Sequence, residues 1–237
     1  MTGLETTLFL GFAVALGAFV QSSIGFGVSV VAAPFVIVFA PELMPGAMLL
    51  SAFSLPVVQL SVGPRDVVWR PLIWALAGRV LLTPVGVWLV AVLSPQAIGA
   101  FAGVLILIVV ALSLTPVRVG LSTRNAVVAG AISGVSGTAA SIGGPFLALT
   151  LQHERPTLVR ATLAAFFVTG SMISVAALAL AGEITRAQLM AGLIWLPFIG
   201  LGFMLAAPAR RHLQGPLLRR LVLAFCAVAA VGVILRA

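Results

Sequence analysis

The sequence predicts an all-α polytopic membrane protein built from two inverted repeats, each a re-entrant broken helix followed by three transmembrane helices. Three observations predict it. The composition is too apolar to face water, two over-long apolar stretches are interrupted at matching points, and the arginines distribute sensibly in only one topology.

Of the 237 residues, 62% are hydrophobic and only 8% are charged, and the mean hydropathy is +1.25. A water-soluble domain carries about 25% charged residues, so lipid must be the outer solvent here. All 13 basic residues are Arg, against five acidic residues, for a net charge of +8. They stand singly or in pairs between apolar runs, the pattern of membrane-loop anchors rather than of a nucleic-acid-binding face. No nucleic-acid partner is expected. One cysteine, Cys226, excludes an internal disulfide or a thiolate-rich centre. His153 and His212 stand far apart, and no hydrolytic or nucleotide-binding motif appears. No metal, no cofactor and no enzymatic activity are therefore expected. The N-terminal segment lacks a basic leader region and runs into an apolar stretch too long for a signal core, so it is expected to be retained.

Apolar stretches fall at 7–40, 43–62, 71–93, 97–114, 125–151, 157–181, 188–207 and 217–235. About 20 residues cross a ~30 Å hydrocarbon core, which suits six of the eight. The first and fifth are too long for one crossing. The first is interrupted by Gln21-Ser22-Ser23-Ile24-Gly25-Phe26-Gly27. The fifth is interrupted by Ser133-Gly134-Val135-Ser136-Gly137-Thr138 and Ser141-Ile142-Gly143-Gly144-Pro145. Sliding the chain on itself by 111 residues places Ala18, Ser22, Pro34, Phe35 and Pro45 on Ala129, Ser133, Pro145, Phe146 and Pro156. The halves are thereby related. The expected organisation is a first membrane repeat over 1–116, a cytoplasmic connection over 117–124 and a second repeat over 125–237.

Charge selects the topology. With eight simple crossings the loop arginines divide six against six. With the first and fifth stretches entering and returning on one side, ten share a face and only Arg186 and Arg236 lie opposite. The positive-inside rule favours the second arrangement. Three crossings per half then invert the second half relative to the first, with both termini outside.

Non-helical backbone at membrane depth survives only where protein or a water-filled cavity satisfies its polar groups. Helices starting at such a break turn free N–H groups and a positive dipole end toward the midplane, a setting for an anion. The predicted site therefore takes Ser22, Ser23, Gly25 and Gly27 from the first break and Ser136, Gly137, Thr138, Ser141, Gly143 and Gly144 from the second. Arg79, some 12 Å along its apolar stretch by helical rise, adds positive charge. The competing explanations are tight helix packing for the small residues, and a tie to helix carbonyls or snorkelling for Arg79. Gln59 and Thr169 are weaker pathway residues. His153, Glu154 and Arg155 read as an interfacial cluster, His212 as part of an anchoring loop, and Trp69, Trp88 and Trp195 as interfacial belts.

The paired segments SSIGFGVSVVAAPF at 22–35 and SGVSGTAASIGGPF at 133–146 resemble the signature of the TauE/SafE sulfite exporter family, and the likeness extends over essentially the whole chain. The resemblance implies a multi-pass protein of the bacterial inner membrane. It implies secondary transport, in the export direction, of a small sulfur-containing oxyanion such as sulfite or an organosulfonate. The partners would be that anion, the lipid bilayer and a coupling ion, proton or sodium, with homo-oligomerisation left open. Transport or import of another small anion or metabolite, and a non-transporting accessory role, remain the alternatives at this point.

Overall fold

A computed structural model describes residues 3–24, 27–63, 65–115, 119–209 and 216–235. Among them there are ten α-helices and one short 3₁₀ turn, with no strand. The first stretch becomes α1 (Gly3–Ile24) and α2 (Val28–Phe39). Then come α3 (Gly46–Val62), α4 (Trp69–Val92) and α5 (Pro95–Leu114). The fifth stretch becomes α6 (Thr123–Ala140) and α7 (Gly144–Thr150), followed by α8 (Pro156–Leu180), α9 (Arg186–Ala209) and α10 (Pro216–Ile234). Five of these, α1, α4, α5, α8 and α9, are long and apolar enough to cross a membrane.

Both interrupted stretches break where polar and glycine residues interrupt the apolar run, and both double back. At the first, Val28 N–H donates to the Gln21 side-chain oxygen at 2.6 Å, and the rings of Phe9 and Phe39 meet edge to face with centroids 5.3 Å apart. Contacts near the tip and at the far end make α1 and α2 an antiparallel hairpin. At the second, α6 ends at Ser141, in the left-handed region with φ 59°, and Ile142 N–H closes the last turn onto Ser136 O at 3.2 Å. That is the usual way to satisfy terminal carbonyls, at the steric cost a non-glycine residue bears there. The chain then returns. Ser133 Oγ donates to Gly143 O at 2.5 Å, and Gln152 reaches Val119 O, just before α6, at 3.5 Å.

The hairpins differ in where Pro falls. Pro34 lies inside α2, whereas Pro145 opens α7, the position where a missing N–H costs nothing. Gly143 and Gly144 precede Pro145 and end helical continuity; Ala32 and Ala33 precede Pro34 and sustain it.

Each hairpin packs against a long helix of the other half. Trp195 of α9 donates its indole N–H to Thr7 O at 2.8 Å, and a Cβ on Gly11 would meet Phe198, so α1 and α9 run parallel. Gly46 and Leu50 of α3 lie against Gln188 and Gly192 of α9, again in parallel. On the other side a Cβ on Gly78 would strike Val127 O, and one on Gly86 would meet Thr138, so α4 and α6 are parallel. Val68 N–H bonds Thr162 Oγ1 at 3.0 Å and Arg79 bonds Ser174, aligning α8 with them. The end of α3, Gln59–Gly63, faces the start of α8, Arg160–Ala164. Thus α1, α3 and α9 point one way and α4, α6 and α8 the other.

At α4–α6 the backbones nearly touch. Added Cβ atoms on Gly78, Gly86, Gly130 and Gly134 would meet the opposing backbone. Close approach of this kind supplies dispersion energy where lipid removes the hydrophobic drive between helices.

Arg65, Arg70, Arg124, Arg155 and Arg160 are all exposed and gather at the end where α3 stops and α4, α6 and α8 start. Arg186 opens α9 at the opposite end. Trp69 and Trp88 are exposed, but Trp195 is fully buried in the α1–α9 core, so it is no interfacial anchor. Its N–H finds a backbone carbonyl, which removes the reason an indole seeks the interface.

Candidate functional site

Arg79 is 2% exposed, while every other arginine with a described side chain lies at the surface. It sits in the middle of α4 and points at the second hairpin and α8. Its Nη2 donates to Ser174 Oγ at 3.1 Å, and Ser174 Oγ in turn pairs with Thr138 Oγ1 at 2.8 Å. The guanidinium lies over the Phe166 ring, 5.2 Å from its centroid, a geometry that adds cation–π attraction.

Three glycines make the space. A Cβ on Gly137 would stand 2.9 Å from Nη2, one on Gly143 3.1 Å from Nη1, and one on Gly170 2.5 Å from Cζ. Any side chain at these positions would fill the cradle. Within it Arg79 Nε has no hydrogen-bond partner. All five acidic residues, Glu5, Glu42, Asp66, Glu154 and Glu183, lie at helix starts or in connections. No carboxylate neutralises Arg79 among the described residues. Burying an uncompensated guanidinium costs several kcal/mol, so the arrangement is held by packing and invites a negative charge.

The second hairpin thus brings Gly137, Thr138 and Gly143 to Arg79. Ser136 instead donates to Ile132 O in its own helix at 2.8 Å, and Ser141 ties the tip to Pro45 O at 3.2 Å. Gly144 accommodates the Phe167 ring.

The first hairpin lies elsewhere. Ser22 Oγ accepts from Gln59 Nε2 at 3.5 Å, and Ser23 Oγ is buried without a partner. Gly25 lies outside the described residues. The hairpins meet across a small cavity of about 10 Å³, room for one water, bordered by Gly27, Ser29, Ser141, Gly143, Gly144 and Phe167. A larger cavity of about 140 Å³ opens on the arginine-rich end between α3 and α8, with Gln21, Ser22 and Gln59 on its wall. Gln59 therefore does line a cavity, whereas Thr169 is exposed on the outer face of α8.

Sequence reading placed Arg79 between the two breaks; Arg79 touches only the second. It also missed Phe166, Gly170 and Ser174.

A bundle of long apolar helices, with two broken-helix hairpins buried in it, defines a multi-pass α-helical membrane protein. Residues 9–233 match the family model for the sulfite exporter TauE/SafE, nearly the whole chain. The chain belongs to the TauE/SafE sulfite exporter family, a family of membrane transporters. No match was found among curated proteins or among solved structures.

Proposed function

We propose that this protein is a secondary transporter of a small sulfur-containing oxyanion, sulfite or an organosulfonate. It works by alternating access and exports across the bacterial inner membrane, with its arginine-rich end in the cytoplasm. The observation that carries the reading is Arg79: a buried cation with a free N–H, no carboxylate, and a cradle of three glycines and two hydroxyls. An oxyanion about 4 Å from that guanidinium gains roughly 4 kcal/mol at an effective dielectric near 20, enough to decide binding. The Thr138–Ser174 pair, which uses one hydroxyl proton between the two oxygens, leaves one hydroxyl donor for the anion.

The opposed helix sets support two inverted halves, since α1 of the first hairpin and α6 of the second run in opposite directions. Inverted repeats rocking about a central site are a recurrent way to expose it to each side in turn. The sealed cradle beside an open cavity on one end fits an occluded substrate site with an access route on the cytoplasmic side. A proton or sodium ion would supply the coupling.

Liposomes reconstituted with the protein and loaded with sulfite or a small organosulfonate test this. Saturable efflux above that of protein-free liposomes is expected for at least one of them. Efflux at the passive rate for both overturns the reading.

A further inference from the structure

We infer that the 140 Å³ cavity is the entry vestibule of the transport path and that Phe167 is its inner gate, the side chain that separates it from the cavity between the hairpins. The inference rests on the transport reading above.

Among the described residues two border both cavities, Gln21 and Phe167. They are not equivalent. Gln21 is fixed: its side-chain oxygen accepts the Val28 N–H at 2.6 Å and so holds the first hairpin's break in shape. Phe167 is a half-buried ring on α8 with apolar contacts alone to hold it. Its tip rests on Gly144, where a Cβ could not be placed without displacing the ring. The absence of a side chain at 144 thus allows the ring to lie between the two spaces.

The chemistry on the two sides agrees with a path. Arg160 is exposed at the arginine-rich end and borders the vestibule, whose inner wall carries the side chains of Gln59 and Ser22. A small oxyanion would meet positive charge first and neutral hydrogen-bond donors next. Beyond Phe167 the space is bounded by Ser29, Ser141 and Gly143, and Gly143 also abuts the guanidinium of Arg79. Among the described residues, Phe167 is the aromatic ring that stands between the vestibule and the space beside Arg79. Rotation of such a ring opens the way without breaking a hydrogen bond.

Cysteine labelling tests the gate without any substrate. In a Cys226→Ala background, Ser141→Cys reports the inner cavity and Gln59→Cys the vestibule, with a small anionic methanethiosulfonate reagent on both sides of proteoliposome membranes. Gln59→Cys should react quickly whatever residue stands at 167. Ser141→Cys should react slowly with Phe167 present, and roughly tenfold or more faster with Phe167→Ala. Gly144→Ala, which displaces the ring while keeping it, should accelerate labelling in the same direction, and Phe167→Leu should give an intermediate rate. Variants are compared only where they elute as monodisperse species. Ser141→Cys reacting as fast as Gln59→Cys with Phe167 in place, or at an unchanged rate in the Ala, Leu and Gly144→Ala variants, overturns the inference. Because labelling requires no transport, a failed gate and a failed substrate assignment give different results.

Discussion

The two places where a hairpin crosses a long helix of the other half are built alike and filled differently. On one side α4 meets α6, with Gly78 against Val127 O; on the other α9 meets α1, with Gly202 against Ala15 O. The residue that follows the glycine is Arg79 in the first case and Phe203 in the second. Around Arg79 the chain removes side chains, at Gly137, Gly143 and Gly170, and closes over a cation. Around Phe203 it leaves an open cavity walled by Gln21, Ser22 and Gln59. One crossing is thus a closed cradle around a buried cation and the other borders an open cavity whose inner wall is neutral and whose rim carries Arg160. The two crossings share parallel helix packing and differ in what fills them.

The largest expected effect comes from removing the charge that distinguishes the two crossings. Arg79→Met keeps most of the volume and should lower sulfite or sulfonate flux roughly 100-fold or more. Arg79→Lys should fall between Met and wild type, because an ammonium keeps the charge but loses the planar fork over Phe166. Flux assays in proteoliposomes check both. Filling the cradle comes next: Gly170→Ala places a Cβ against the guanidinium and should cost about 1–3 kcal/mol of stability as overpacking. Thermal melting in detergent reads the stability, and flux should fall by about tenfold with the displaced cation.

On the opposite crossing, Gly202→Ala should destabilise by a similar 1–3 kcal/mol, since the added methyl meets backbone, while the flux per folded molecule falls much less. Equal flux losses at Gly170 and Gly202 would erase the contrast. The smallest effect is expected at Ser141. Substituting Gly relieves the left-handed strain but loses the hydrogen bond to Pro45 O, so opposing contributions of about 1 kcal/mol each should leave the melting temperature nearly unchanged.

Much of this was legible in the sequence because a membrane imposes strong constraints. The eight apolar stretches became ten helices with outer bounds within a few residues of those expected, because both interrupted stretches broke in two, polar glycine-rich sequence at such depth having few other uses. Arg79 stood out because a charge amid 71–93 has no cheap explanation. What stayed hidden depended on rotation about helix axes. Gly170, Ser174 and Phe166 belong to an apolar helix whose periodicity carries little information when lipid and protein interior are equally apolar. Trp195 shows the same blindness. Its position within a span suited an interface, and only its packing on Thr7 reveals a core residue. The equivalence of the two breaks was overdrawn for a local reason, because Pro34 lies within α2 and Pro145 begins α7.

The most direct test of the account is sulfite efflux from liposomes carrying wild-type protein beside liposomes carrying Arg79→Met at matched, verified folded content. Saturable efflux is expected from the wild type and near-passive efflux from the variant. Equal efflux from the two would contradict the account.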